Sequence, residues 1–371
     1  MSRPACYQTY SDAKEVCRHC HVLTACKAES DQSAAAGNAA PVVATPVCGA
    51  VSSDGAFSLA LSLYSGQTFR WGRDDDGWWK GITYGTVLYL KQTSDTVEYV
   101  SSATRVLTYA GEMEIETFVR WYLRLDEAPK IRVPRQDRYL RKARDAMRGF
   151  RFVRQDPWEC TISYILSVQA HMNLTKQRIQ FLARILGDEV TINGEHYWTF
   201  PSIEALAILD EDYYRHQRFG WRSKFLPVSI ERIVTTLHDT HGERSDGIDL
   251  EGWRAIVDGL LELPNSGVGL KVAKCIDLFS LERLSSVPVD TWVRKFAEDW
   301  YGVEGSDSKI CAWGEARGGR LAGYWNEYLF VYYRELNAPA LDDRVISFAK
   351  SDAPSAVLPF ERDGRQGGDG G

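Results

Sequence analysis

The stretch LPNSGVGLKVAKC, residues 263–275, sets a lysine in the first turn of a helix. From Val268 onward apolar residues recur at Val272, Cys275, Ile276 and Phe279, the spacing of one helical face. The N-terminus of a helix carries partial positive charge and favours anions. A cation there works against stability, so Lys271 is either a solvated accident or is wanted for its chemistry. Further along, VPVDTW places Asp290 after Pro288 and before another helix. Its plain role is an N-cap. As a partner of Lys271 it would orient a proton or stabilise a developing positive charge, and one residue can do both.

A second constellation lies at the N-terminus. CYQTYSDAKEVCRHCHVLTAC supplies Cys6, Cys17, Cys20 and Cys26, including a C-x-x-C. Four cysteines match the ligand count of a structural zinc or of an iron–sulfur cluster, and the two stay open. A segment as short as residues 1–30 buries no core, so a metal would supply its folding energy. The run VCRHCHVLTAC is also similar to the cysteine knot of small actinobacterial iron–sulfur regulators. The remaining cysteines, Cys48, Cys160, Cys275 and Cys311, are scattered, which suits reduced thiols in a reducing compartment.

These groups need elements to position them. A helix ending at LLELP, a GVG turn and a helix resuming at LKVAKC make a helix–hairpin–helix. Gly267, Val268 and Gly269 would bring backbone N–H groups toward an anion, and a nucleic-acid phosphate is a natural ligand. The chain's net charge of −6 argues against nucleic acid as a partner. Yet residues 130–160 hold ten Lys and Arg against four acids, a local basic surface. No apolar run is long enough to span a bilayer, and MSRPACYQTYSDAKE is no secretory signal. An intracellular protein of the cytoplasm, nucleoid or nucleus is expected.

Along the chain, residues 1–30 form the cysteine-rich module and 31–54, containing SAAAGNAAPVVATP, read as a flexible linker. Residues 55–145 read as an antiparallel β domain. SLALSL alternates Leu59, Leu61 and Leu63, and TFRW, GWWKGITYG, TVLYLKQ and TVEYVSS follow with turn signals between them. Helical periods begin at EIETFVRWYLRL and fill 146–345, through ECTISYILSVQAHM, QRIQFLARILG, SIEALAIL and EGWRAIVDGLLELP. The tail over 350–371 has nothing to pack and is expected to be disordered.

LP, GVGLKVAKC and VPVDTW together resemble the helix-hairpin-helix DNA glycosylase superfamily, specifically its 8-oxoguanine branch. SGQTFRW at 65–71, RFVRQDPWECTISYIL at 151–166 and FGWRSKFL at 219–226 match that branch in the same order, so the resemblance covers residues 55–335. It implies an α+β chain: an antiparallel, TBP-like sheet domain joined to an all-α helix-hairpin-helix domain, with the lesion pocket at their junction. It also implies base flipping, attack of Lys271 on the sugar's anomeric carbon, a Schiff base and β-elimination of the strand. Such a DNA glycosylase and apurinic-site lyase needs no catalytic cofactor and acts as a monomer on double-stranded DNA carrying an oxidised purine.

The resemblance assigns further residues. Gly66 would accept the N7–H that only oxidised guanine carries, and Cys275 and Phe330 would wall the base pocket. Asn326 stands where the family often has a glutamine reading the Watson–Crick edge, and Arg222 where an arginine reads the opposite cytosine. Departures are equally specific. LPNSGVG is two residues longer than the usual LPGVG. Gln169, Ala170 and His171 replace an asparagine run that fills the gap left by the flipped base, with Gln169 and His171 the candidate fillers. Leu174 stands for an arginine, and Trp292 for a histidine near a phosphate. The expected function is excision of 8-oxoguanine or a related oxidised purine. Its rivals are a glycosylase for another damaged base and a catalytically silent DNA-binding module that recruits a partner through its cysteines.

Overall fold

The computed structural model describes residues 42–53, 56–241 and 248–337. Cys6, Cys17, Cys20 and Cys26, and the tail from 350, lie outside the described residues. Five antiparallel strands form the main sheet in the order Val47–Ser52, Thr96–Ser101, Thr86–Thr93, Trp79–Thr83 and Trp71–Arg73. Tyr84 and Gly85, both at positive φ, close the two-residue turn between Trp79–Thr83 and Thr86–Thr93. The central strand is buried continuously from Thr86 to Leu90, because both faces of the sheet are covered. On one face lie helices Leu59–Tyr64 and Ile115–Tyr122, with Leu59, Leu63, Phe118 and Tyr122 packed against Leu88 and Leu90. On the other, Val190 and Ile192 pack on Ile82, Val87 and Tyr89.

Four expectations change here. SLALSL is a helix, not a strand. Ser58 caps it by accepting from the Leu61 N–H; Leu59 and Leu63, one helical repeat apart, face the sheet, while Leu61 enters the helical core. The expected linker over 31–54 contains the sheet's edge strand Val47–Ser52, whose register on Thr96–Ser101 buries Val51. Val42–Val43 also pairs in parallel with Glu189–Ile192. Third, the helical half contains a hairpin, Glu189–Ile192 with Glu195–Trp198, closed by Asn193 and Gly194 at positive φ. Finally, helix Arg138–Ala146, expected within the sheet domain, puts Leu140 and Ala143 into the helical core.

That core is rich in aromatic rings. Phe152 lies 4.4 Å from Tyr324 and 5.6 Å from Phe279, which stacks 5.5 Å from Tyr164, centroid to centroid. The basic run of 130–160 divides. Lys130, Arg132, Arg135, Arg138, Arg141, Lys142 and Arg148 are exposed. Arg151 instead donates to the Ala56 carbonyl, and Arg154 is buried against Asp126. Among the described residues no helix is long and apolar enough to cross a membrane.

One ion cluster ties the two cores together. Glu282, just past the end of helix Leu270–Ser280, accepts a bidentate pair from Arg124 at 2.8 and 2.6 Å. Arg124 is 2% exposed and also donates to the Phe152 carbonyl. Arg154 approaches the same carboxylate at 3.3 Å, and the Tyr109 hydroxyl donates to it. Burial works to raise the Glu282 pKa, but the hydrogen bond and charges of Arg124 and the charge of Arg154 hold it below the ordinary value. Glu282→Gln leaves buried Arg124 only the exposed Glu127 at 3.5 Å as counter-charge, so a loss of about 3 kcal/mol is expected by denaturant unfolding. A loss below about 1 kcal/mol, the range of an exposed pair, would contradict this role.

Candidate active site

The hairpin before Lys271 explains how its longer turn is accommodated. Helix Leu250–Glu262 ends at Leu263, and Asn265 takes a left-handed conformation. Ser266 then turns inward: its Oγ donates to the Leu260 carbonyl at 2.7 Å and accepts from the Val268 N–H at 3.0 Å. Ser229 donates to the Ser266 carbonyl at 2.6 Å. Gly267 has φ +76°, and a Cβ there would meet the Phe225 ring at 2.8 Å, so both conformation and space demand glycine. Gly269 caps helix Leu270–Ser280 and is exposed, with open space around it. Val268 departs from expectation. Its side chain is 4% exposed and its N–H is taken by Ser266, so it does not offer a donor to an outside anion.

Lys271 projects from the first turn into a cavity of about 340 Å³. Its Nζ lies 5.4 Å from the centre of the Tyr164 ring. Asp290 shares the cavity, and it is the helix cap read from sequence. Its Oδ1 accepts from the Trp292 and Val293 N–H groups at 2.9 and 2.8 Å, capping helix Thr291–Tyr301. Burial raises the Asp290 pKa, opposed by those two bonds and by the charges of Lys271 and Arg334. Lys274, on the same helix, is turned away into a 2.7 Å pair with Glu315. Cys275 and Phe330 also line the cavity. Burial pushes the Cys275 thiol up to about 11 despite the pull of Lys271, so it is a neutral wall rather than a second nucleophile. The Arg334 guanidinium lies 5.1 Å over the Phe330 ring.

Gly66 reaches the cavity from the end of the short helix that lies between the two cores. It follows helix Leu59–Tyr64 with φ +103°, and a Cβ would sit 3.1 Å from the Met172 methyl. The adjacent Gln67 fixes it. Its side chain donates to the Ser62 and Arg151 carbonyls at 2.6 and 3.0 Å and accepts from the Val153 N–H at 2.9 Å. Asn326 lines the cavity but is 6% exposed, with Nδ2 directed at the Pro288 carbonyl at 3.5 Å.

The expected opposite-strand residues are arranged differently. Arg222 is 6% exposed and donates to the carbonyls of Val168 and Gln169. It faces inward as a brace for the turn, not outward as a reader. On that turn Gln169 is exposed at positive φ, and His171 is exposed at the start of helix Met172–Leu186. Met172, Leu174 and Trp221 are exposed apolar side chains of the same region, and Met172 lines the cavity. Trp292 lines it too, edge-on to Tyr333 at 6.3 Å.

Sequence reasoning missed Glu327. It is 4% exposed, lines the cavity and has its pKa pushed up to about 8 by burial, with Arg334 opposing and Asp290 adding to the rise. A charged residue inside a helix beside three aromatics carries no sequence signal that it is buried. Among the described residues no group of His, Cys, Asp and Glu can hold a metal ion. The arrangement therefore offers an amine, a carboxylate and two flat walls in one half-enclosed cavity.

Known proteins resemble this chain over most of its described length. Residues 51–161 match the 8-oxoguanine DNA glycosylase N-terminal domain. The chain is 30% identical over 252 residues to the N-glycosylase/DNA lyase OGG1 of Arabidopsis thaliana, covering 66% of each. It is 31% identical over 220 residues to a probable N-glycosylase/DNA lyase of Methanothermobacter thermautotrophicus, 54% of this chain and 68% of that one. The match thus spans about two thirds of these relatives' length. The Clostridium acetobutylicum 8-oxoguanine glycosylase/lyase, in complex with double-stranded DNA containing cytosine opposite 8-oxoguanine, superposes with TM-score 0.62 at 28% identity. That alignment covers 77% of this chain and 94% of the clostridial one.

The raised pKa of Glu327 makes a stability prediction. The folded chain keeps a proton that the unfolded chain releases, so stability falls as pH rises from the ordinary carboxylate range to about 8. Glu327→Gln removes that loss. Its Tm relative to the parent is expected to climb between pH 5 and about pH 8 and then level off. A difference that is independent of pH would contradict the assignment.

Proposed function

The chain belongs to the N-glycosylase/DNA lyase family of 8-oxoguanine glycosylases, and on that premise we propose that it excises 8-oxoguanine from duplex DNA through Lys271. The observation that carries this reading is that Lys271, Asp290, Cys275, Phe330 and Gly66 line one cavity although they are spread from position 66 to position 330 of the chain. The damaged nucleotide leaves the stack and its base enters between Cys275 and Phe330. The Gly66 carbonyl accepts the N7–H of the oxidised ring. The neutral Lys271 amine attacks C1′; the N–C1′ bond forms as the glycosidic bond breaks, and the base leaves with its bonding electrons and takes up a proton. The Asp290 carboxylate stabilises the positive charge that develops on the sugar. The sugar ring then opens to a protonated Schiff base. Loss of a C2′ proton expels the 3′ phosphate, and hydrolysis frees the lysine.

The turn carrying Gln169 and His171 is the candidate for the space left by the extruded base, with Arg222 bracing it and exposed Met172 and Leu174 beside it. Gly267 and Gly269 remain the candidates for close approach to a phosphate. The N-terminal Cys6, Cys17, Cys20 and Cys26 keep the reading of a structural zinc or iron–sulfur module, supported by their count and their C-x-x-C spacing. One zinc per chain without absorbance near 400 nm would select the zinc form; neither metal nor absorbance would remove both.

A nicking assay on a duplex with 8-oxoguanine opposite cytosine tests the main reading. Lys271→Gln is expected to lose at least about a thousandfold in single-turnover rate. Asp290→Asn separates the two jobs of that residue, because asparagine still caps a helix. It is expected to keep its stability within about 1 kcal/mol while losing roughly a hundredfold in rate. An Asp290→Asn protein as fast as the parent would reduce Asp290 to a cap. Full activity in Lys271→Gln would overturn the mechanism.

A further inference from the structure

Glu327 is an acid whose side chain lines the cavity. Among the described residues no hydrogen bond or ion pair reaches its side chain, although it is 4% exposed on helix Ala322–Asn337. A carboxyl on a cavity wall with no protein partner keeps its donor and acceptor capacity for whatever enters the cavity. The carboxyl lines the cavity that also holds Lys271 and Asp290. The residue before it, Asn326, has one methylene less than a glutamine and directs its amide at the Pro288 carbonyl. The pocket's expected reader is thus short and partly committed, beside a polar group that is neither.

We propose that Glu327 is a base-reading residue, whose neutral carboxyl makes paired hydrogen bonds to the Watson–Crick edge of the extruded oxidised guanine. A protonated carboxyl carries one O–H donor and one C=O acceptor in a plane, as an amide does. The guanine edge offers the complement, O6 as acceptor beside N1–H as donor. The groups facing Glu327 keep it in that form. Lys271 and two N–H groups favour the anion at Asp290, at the start of helix Thr291–Tyr301, and an anion there disfavours a second carboxylate beside it. Cys275 and Tyr164 contribute neutral walls, since burial raises both of them. Arg334, seven residues along the same helix, opposes the effect but is engaged by Glu335 at 3.1 Å. The role rests on the glycosylase reading above and adds a recognition group to it.

The test compares Glu327→Gln and Glu327→Leu with the parent on two duplexes, one carrying 8-oxoguanine opposite cytosine and one carrying an abasic site. Glutamine keeps a donor and an acceptor, so base excision at pH 7 is expected within about threefold of the parent. Leucine keeps neither and is expected to lose about tenfold or more in kcat/KM, the worth of one or two hydrogen bonds. Above about pH 8 the parent should lose excision as Glu327 ionises, and Glu327→Gln should lack that added loss. Borohydride trapping on the abasic duplex, which presents no base to read, should succeed with all three and shows that each is folded. Excision by Glu327→Leu at the parent rate, or an equal alkaline loss in Glu327→Gln, overturns the inference. Failure of the parent itself on both duplexes would instead remove the glycosylase reading.

Discussion

The carboxylate of Glu282 is the constraint on which the site's geometry depends. It stands just beyond the helix that begins at Gly269 and carries Lys271, and it is gripped by Arg124 and Arg154 from the sheet side. A rigid helix clamped at its far end has little freedom at its near end. The Gln67 side chain does the matching work for Gly66, joining helix Leu59–Tyr64 to the 151–153 segment. The cavity therefore brings Lys271 together with Gly66, some 200 positions earlier in the chain, and polar pins hold the two in register. Both pins are buried or nearly so, where an unmatched partner is costly. Misplacement of reacting groups by an ångström can cost a hundredfold in rate, so the pins bear on chemistry as well as stability.

Within that frame the cavity holds two buried carboxyls in different surroundings. Asp290 is buried, yet it receives two backbone N–H bonds and the charges of Lys271 and Arg334, all of which favour the anion. Glu327 is buried without such bonds and is pushed well above the carboxylate range. Burial raises both carboxyls, and the two N–H bonds and the Lys271 charge oppose that rise only at Asp290. The Cys275 thiol, raised by burial, adds a wall without adding a charge.

What could be read from the sequence was local. Lys271, Asp290, Gly267 and Cys275 sit at helix starts or one helical repeat apart, where spacing reports position. SLALSL was ambiguous because Leu at every second place over six residues fits a strand, and also a short helix between two cores. Val47–Ser52 hid inside a Pro- and Ala-rich stretch, and its pairing with Thr96–Ser101 is a long-range fact. The Asn193–Gly194 turn did carry a hairpin signal, overlooked among helical periods. Side-chain direction was the least legible property. Arg222 faces inward because two carbonyls of a distant turn need a donor, and Arg124 meets Glu282 across 158 positions of chain. No spacing rule reports such pairs.

The most direct measurement is peptide mapping of the adduct trapped by borohydride on a duplex carrying 8-oxoguanine opposite cytosine. The account predicts a single reduced sugar linkage on the peptide containing Lys271, and on its Nζ. A linkage at Lys274 or at the chain's terminal amine would contradict the placement of the nucleophile. Base release with no trapped adduct would mean that water, and not Lys271, attacks the sugar.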